Sequence, residues 1–222
     1  MSKKKKDILD QIKEAAEDFE GDAKAMIETA KTVIKDMQEA VKPVLIETSG
    51  SVTSSFATER LIADNKGDAR ALYDKSRFGA LLGPDKIQYS LHEGLFLLER
   101  GKMDVFDNKK ALTFDTFVKR ARKVEPNFWI RYSVFKDLRN RGYIVKTALK
   151  FGADFRVYER GIKPGEDHAK WIVYPVHEGD ALTWYEFAAK NRVAHSTKKR
   201  LLLGIVDDES SVTYYECKWI RP

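Results

Sequence analysis

The chain of 222 residues has a single cysteine, Cys217, so no intrachain disulfide can staple it, and a zinc site gains no support. That usage fits a reducing, cytoplasmic compartment. No apolar run approaches the roughly 20 residues of a membrane span. The opening Met1–Lys6 leads into Asp7-Ile-Leu-Asp10, not into the apolar stretch of a signal peptide. Histidine is scarce as well, with four in all, so each can be weighed individually.

What is present describes a soluble, globular protein. Apolar residues make up 43% and charged residues 33%, with a net charge of +6. Residues 1–42 hold nine lysines against ten acidic residues, so the positive surplus comes entirely from residues 43–222. A surplus of that sign suits a polyanionic partner.

Three sections follow from the patterning. Residues 1–50 read as a helical extension and linker. Ile27, Ala30, Ile34, Met37 and Val41 recur at spacings of 3 and 4 as one apolar stripe, expected to pack on the body or on a second copy. Pro43 ends that helix, and Glu47–Ser55, rich in Ser and Thr, reads as the linker. Residues 51–124 read as an α+β structural domain. There Ser90-Leu-His-Glu93 is a capping box that opens a helix, Gly101 stops it, and a second helix is expected from Phe114 to Lys123.

Residues 125–222 read as an α/β domain around a mixed sheet. A helix is expected over Asn127–Arg141, then strands over Tyr143–Leu149, Asp154–Glu159 and 170–176. Thr183-Trp-Tyr-Glu186 is a second capping box and opens a helix reaching about His195. Leu201–Val206 is a continuous apolar run, as in a strand buried on both faces. Val212–Ile220 makes a final strand.

Several motifs in order carry a specific signal. They are Leu72-Tyr-Asp-Lys-Ser-Arg-Phe-Gly79, Ser90–Gly101, Tyr132–Thr147, Phe155-Arg-Val-Tyr158-Glu-Arg-Gly161, His168-Ala-Lys-Trp-Ile-Val173 and His195-Ser-Thr-Lys-Lys199-Arg-Leu-Leu-Leu-Gly-Ile-Val-Asp207. From about residue 56 to 222 the chain resembles the archaeal tRNA-intron splicing endonucleases of the single-repeat, homotetrameric type. Residues 1–50 have no counterpart in that resemblance.

The resemblance implies a metal-free endoribonuclease with no cofactor, cutting precursor tRNA at bulge–helix–bulge intron boundaries. Tyr158 matches the family's general base. Strand alternation puts Arg156 beside it, and a cation next to a phenol favours proton acceptance near neutral pH. Without the motif it would read as an ordinary strand tyrosine. His168 matches the general acid. His92 falls on an expected helix, His177 beside a turn and His195 at a helix end; it is the resemblance to the family that favours His168 over these three. Lys199 matches the charge-stabilising cation. Lys198 and Arg200 flank it, and from composition alone the three are a basic cluster at a solvated helix end.

Arg192 matches an arginine that stacks on a bulged base. With Arg156, Lys198 and Arg200 it forms the expected RNA-contacting set. The family's second stacking residue is left open. Asp207-Asp208-Glu209 resembles the acidic loop that docks into another subunit to build a tetramer; its bland reading is an acidic turn. Two rivals stay open: a catalytic subunit needing a separate structural subunit (α2β2), and a non-catalytic RNA-binding scaffold. A metal-dependent nuclease is a third, which chelator resistance would test.

Overall fold

A computed structural model describes residues 48, 50–148 and 152–220, so the apolar stripe from Ile27 to Val41 and its expected packing lie outside the described residues. The first half builds a six-stranded sheet. Its strands are β1 (Val52–Ala57), β2 (Arg60–Asp64), β3 (Ala80–Leu82), β4 (Lys86–Ser90), β5 (Met103–Asp107) and β6 (Lys110–Ala111), in spatial order β3-β4-β2-β1-β5-β6. Helices α1 (Gly67–Ser76), α2 (Leu91–Glu99) and α3 (Phe114–Val124) accompany it. Ser90 and Glu93 close the expected capping box on α2. Gly101 follows with φ of 63°, the left-handed turn that glycine adopts without strain.

One expectation is corrected here. Residues 52–55 are not linker but the first part of β1, paired with β2 on one side and β5 on the other. Val52, Ser54 and Phe56 alternate inward, and the Ser54 hydroxyl donates to the Asp104 carbonyl at 3.3 Å. Neighbouring strands satisfy this backbone, which a serine-rich composition does not announce.

The second half begins with α4 (Phe128–Asn140), whose Phe128, Tyr132, Val134, Phe135 and Leu138 are all buried. Each such side chain contributes about 1.5–3 kcal/mol on burial. A five-stranded sheet follows, in order β11-β10-β9-β8-β7, from β7 (Ile144–Thr147), β8 (Phe155–Tyr158), β9 (Trp171–His177), β10 (Arg200–Val206) and β11 (Val212–Cys217). Helix α5 (Trp184–Ser196) links the parallel pair β9 and β10, and its Thr183–Glu186 capping box is present.

The sheet is covered on both faces. Leu202 and Val206 join the core that contains α4, and a Cβ on Gly204 would lie 2.9 Å from the Val134 side chain. Leu201 and Leu203 pack instead in the cluster containing Ala194 and Phe187 of α5. The apolar run 201–206 therefore serves two layers in alternation. The last strand is shorter than expected, ending at Cys217, so Lys218, Trp219 and Ile220 leave the sheet. No helix among the described residues is long and apolar enough to cross a membrane.

His92 lies inside this core and not in a site. It is buried on α2, stacked on Phe128 at 4.9 Å and edge-on to Phe155 at 5.2 Å. Nε2 is 3.5 Å from the Glu125 carboxylate. Burial, with the nearby Arg131 charge adding, pushes the imidazole down to about 3. Below the ordinary value of 6.5 the unfolded chain takes up a proton that the folded chain refuses, so stability falls as pH drops from 6.5 towards 3. Glu125 and Asp154 act oppositely, because burial raises both carboxyls. The comparison with His92→Leu isolates the histidine. Urea midpoints between pH 7 and 4.5 should show the wild type losing up to about 1.4 kcal/mol per pH unit relative to the variant. Parallel pH profiles for the two proteins would refute that assignment.

Candidate functional site

Strand register gathers the three candidate catalytic residues. In the antiparallel β8–β9 pair Val157 faces Trp171, and the Lys170 amide donates to the Val157 carbonyl at 2.9 Å. Tyr158 therefore ends β8 where β9 begins. In the parallel β9–β10 pair Arg200 faces Trp171, and the Arg200 amide donates to the Lys170 carbonyl at 2.9 Å. Lys199 thus stands at the same end, on the next strand over. His168 precedes β9 by three residues. All three sit at one end of three adjacent strands, with Tyr158 and Lys199 two strands apart, about 10 Å at the usual spacing.

Alternation also gives Tyr158 and Lys199 a common face. Phe155 and Val157 join the α4 core, so Arg156 and Tyr158 point to the α5 side. Lys199 has the parity of Leu201 and Leu203, which pack under α5. Tyr158 is buried, and the Arg156 guanidinium lies 5.9 Å from its ring centroid. Arg156 is half-buried, with Nε unpartnered among the described residues.

His168 is exposed at the end of the loop between β8 and β9. The loop is tied by Glu166, whose carboxylate accepts from the Lys163 amide at 3.1 Å, and by an ion pair between Lys170 and Glu159. The His168 amide donates to the Asp167 carboxylate at 2.6 Å. Lys199 is half-buried; its amide donates to the Ala194 carbonyl and its ammonium to the Thr197 carbonyl, both at 2.9 Å.

The flanking cations do other work. Lys198 is exposed with φ of 54°, the left-handed residue that turns α5 into β10. Arg200 donates to Glu216 at 2.9 Å, and the Trp171 indole donates to the other oxygen of that carboxylate at 2.7 Å. Of the acidic loop, Asp207 accepts from the Ser211 amide at 2.8 Å and closes the β10–β11 turn. Asp208 meets His177 at 3.0 Å, and Asp208 and Glu209 are exposed. His177 ends β9 at the opposite end from His168, and His195 lies in the last turn of α5.

Two connected hollows run along α5. One, of about 470 Å³, is lined by Lys198, Lys199 and Arg200, among others. The other, of about 360 Å³, is lined by Phe187, Ala188, Arg192 and Trp219. Asn191, His195, Cys217, Lys218 and Trp219 border both. Trp219 meets the His195 ring edge-on at 4.4 Å. Sequence reasoning missed Trp219 because it ran the last strand to Ile220. An isolated tryptophan beside Lys218 was the available signal. Among the described residues no three His, Cys, Asp or Glu side chains gather as a metal site.

Comparison with known proteins covers most of both halves. The family model for the N-terminal domain of tRNA intron endonucleases matches residues 52–118, and that for the catalytic C-terminal domain matches residues 128–214. A tRNA-splicing endonuclease of Nanoarchaeum equitans is 43% identical over 151 residues, 65% of this chain and 97% of the relative. That of Methanothermobacter thermautotrophicus is 42% identical over 154 residues, 69% of this chain and 89% of the relative. That of Thermococcus gammatolerans is 39% identical over 163 residues, 73% and 95% respectively.

Proposed function

The chain belongs to the tRNA intron endonuclease family, and from that premise we propose that it cleaves precursor tRNA at bulge–helix–bulge intron boundaries. The observation that carries this reading to named residues is the strand register. In support of it, Tyr158 and Lys199 stand at the same end of β8 and β10, with the parity of the strand residues that pack under α5, and His168 lies three residues before β9 at that end.

The reaction is an internal transesterification. Tyr158, as the phenolate, takes the proton of the ribose 2′-OH, and the 2′-oxygen forms a bond to the adjacent phosphorus. The bond from phosphorus to the 5′-oxygen breaks, and His168, as the imidazolium, gives that oxygen its proton. Lys199 stabilises the charge that grows on the non-bridging oxygens. The products are a 2′,3′-cyclic phosphate and a 5′-hydroxyl. The 2′-OH nucleophile restricts the reaction to RNA, and no metal takes part.

Substrate choice rests on shape, because an A-form helix hides its base edges and unpaired bulge bases are the readable feature. The hollow shared by Arg192 and Trp219 suits a flipped base held between a guanidinium and an indole. A homotetramer places two triads on the two bulges of one substrate, with the acidic turn Asp207–Glu209, of which Asp208 and Glu209 are exposed, making the contact to another subunit. The setting is the cytoplasm.

The test is cleavage of a labelled bulge–helix–bulge RNA in excess EDTA. Two cuts at the bulges with cyclic-phosphate ends are expected. Cleavage abolished by EDTA would remove the metal-free mechanism, and binding without cutting would favour a scaffold or a missing partner subunit.

A further inference from the structure

Helix α5 begins with two large aromatic side chains in water: Trp184 is 86% exposed and Tyr185 81%. A tryptophan that open forgoes most of its burial energy, which makes a ligand-contacting role the first reading. Its position is specific. Trp184, Ala188, Asn191 and His195 follow at steps of 4, 3 and 4, so they share one helix face. The last three line the hollow that Arg192 and Trp219 border. Trp184 adjoins that hollow through Phe187, meeting its ring edge-on at 6.1 Å.

We propose that Trp184 is a second stacking platform, taking an unpaired base next to the one held by Arg192. The proposal rests on the bulge-cleaving reading above. Trp184 lies about 12 Å along the helix axis from Arg192 at 1.5 Å per residue. A splayed bulge of more than one nucleotide can place successive bases at the two positions. Glu178 and Asp180 are exposed just before the helix, but towards the hollow the charge is positive and favours RNA over a protein partner. Arg192, Lys198 and Lys218 are exposed along it. Glu186, the acid of this turn, is folded back onto the Thr183 amide and hydroxyl at 2.8 and 2.7 Å. Exposed aromatics among cations form the platform that single-stranded nucleic acid uses.

The experiment measures the affinity of the full-length protein for a bulge–helix–bulge RNA carrying 2′-deoxyribose at both cut sites, which blocks the nucleophile. Trp184→Ala should weaken binding about ten-fold, with unchanged Tm. Trp184→Phe should restore most of it. Removing one particular bulge base should weaken wild-type binding by a similar factor and Trp184→Ala no further. An unchanged affinity in Trp184→Ala would overturn the proposal. So would an equal loss in Trp184→Ala with every abasic RNA. A changed oligomer mass with normal RNA affinity would assign the face to a subunit contact instead. Wild-type protein that neither binds nor cuts the unmodified RNA would reject the parent reading, a result distinct from any of these.

Discussion

His168→Ala should slow cleavage of a bulge–helix–bulge RNA by about 10²–10⁴-fold, the usual contribution of a positioned general acid. RNA affinity and Tm should stay near wild type, because the ring is exposed and the loop's internal bonds run through Glu166, Lys163 and the backbone of His168. A slow rate alone would not identify the acid. A substrate with bridging sulfur in place of the 5′-oxygen does so, since a thiolate leaves without a proton. His168→Ala should recover most of its rate on that RNA, whereas Tyr158→Phe, lacking the base, should not. Equal losses on oxygen and sulfur substrates would make His168 a substrate-positioning residue.

The contrast with the neighbouring cations is informative. Lys199 and Arg200 are adjacent in sequence, yet strand alternation sends them to opposite faces, and Arg200 is held by Glu216. Lys198 is held in a left-handed turn. The basic cluster that composition suggests is thus three residues with three different duties. Lys199 combines the sheet end of Tyr158 with the parity of Leu201 and Leu203, which pack under α5.

Much of this was legible in the chain. Both capping boxes, the two-layer run 201–206 and the motif order are local patterns, and local patterns survive folding. What escaped was non-local. Residues 52–55 look like linker until β2 and β5 supply their partners. The gathering of Tyr158, His168 and Lys199 depends on the β9–β10 register, which no stretch of sequence states. Trp219 was hidden by an over-long strand. Trp184 was visible only as the second residue of a capping box, and its exposure is a property of the folded helix.

The Glu93–Lys146 pair was the most completely hidden. The capping box explains one Glu93 oxygen, which accepts from the Ser90 amide at 3.0 Å. The other accepts from the Gly79 amide at 3.0 Å and from the Lys146 ammonium at 2.8 Å, a partner 53 residues away on β7. Lys146 also donates to the Gly79 carbonyl at 2.6 Å. This buried cluster ties α2 and the start of β3 to the sheet that carries the candidate site. Burial opposes the charge on both groups. The Lys146 ammonium and the Ser90 and Gly79 amides nevertheless hold Glu93 below the usual carboxylate range, while burial keeps Lys146 below the usual amine range.

Lys146→Met should therefore destabilise the protein by about 3–5 kcal/mol, because it leaves a buried carboxylate without its counter-charge. Replacing both groups, as Lys146→Met with Glu93→Gln, should cost less, since glutamine keeps the capping geometry without the charge. The pH dependence should also reverse sign. In the wild type the lowered Glu93 pKa contributes stability above its unfolded value of 4.5, lost as pH falls through the folded value. In Lys146→Met burial acts without the ammonium and raises that pKa, so the carboxyl prefers its proton and stability is lost as pH rises above 4.5. Urea midpoints of the wild type, the single variant and the double variant between pH 4 and 8 measure this directly. The gap between wild type and Lys146→Met should widen with pH, and the double variant should lack that trend. A constant gap would mean that Lys146 acts through its hydrogen bond to Gly79 and its methylene packing, not through its charge on Glu93.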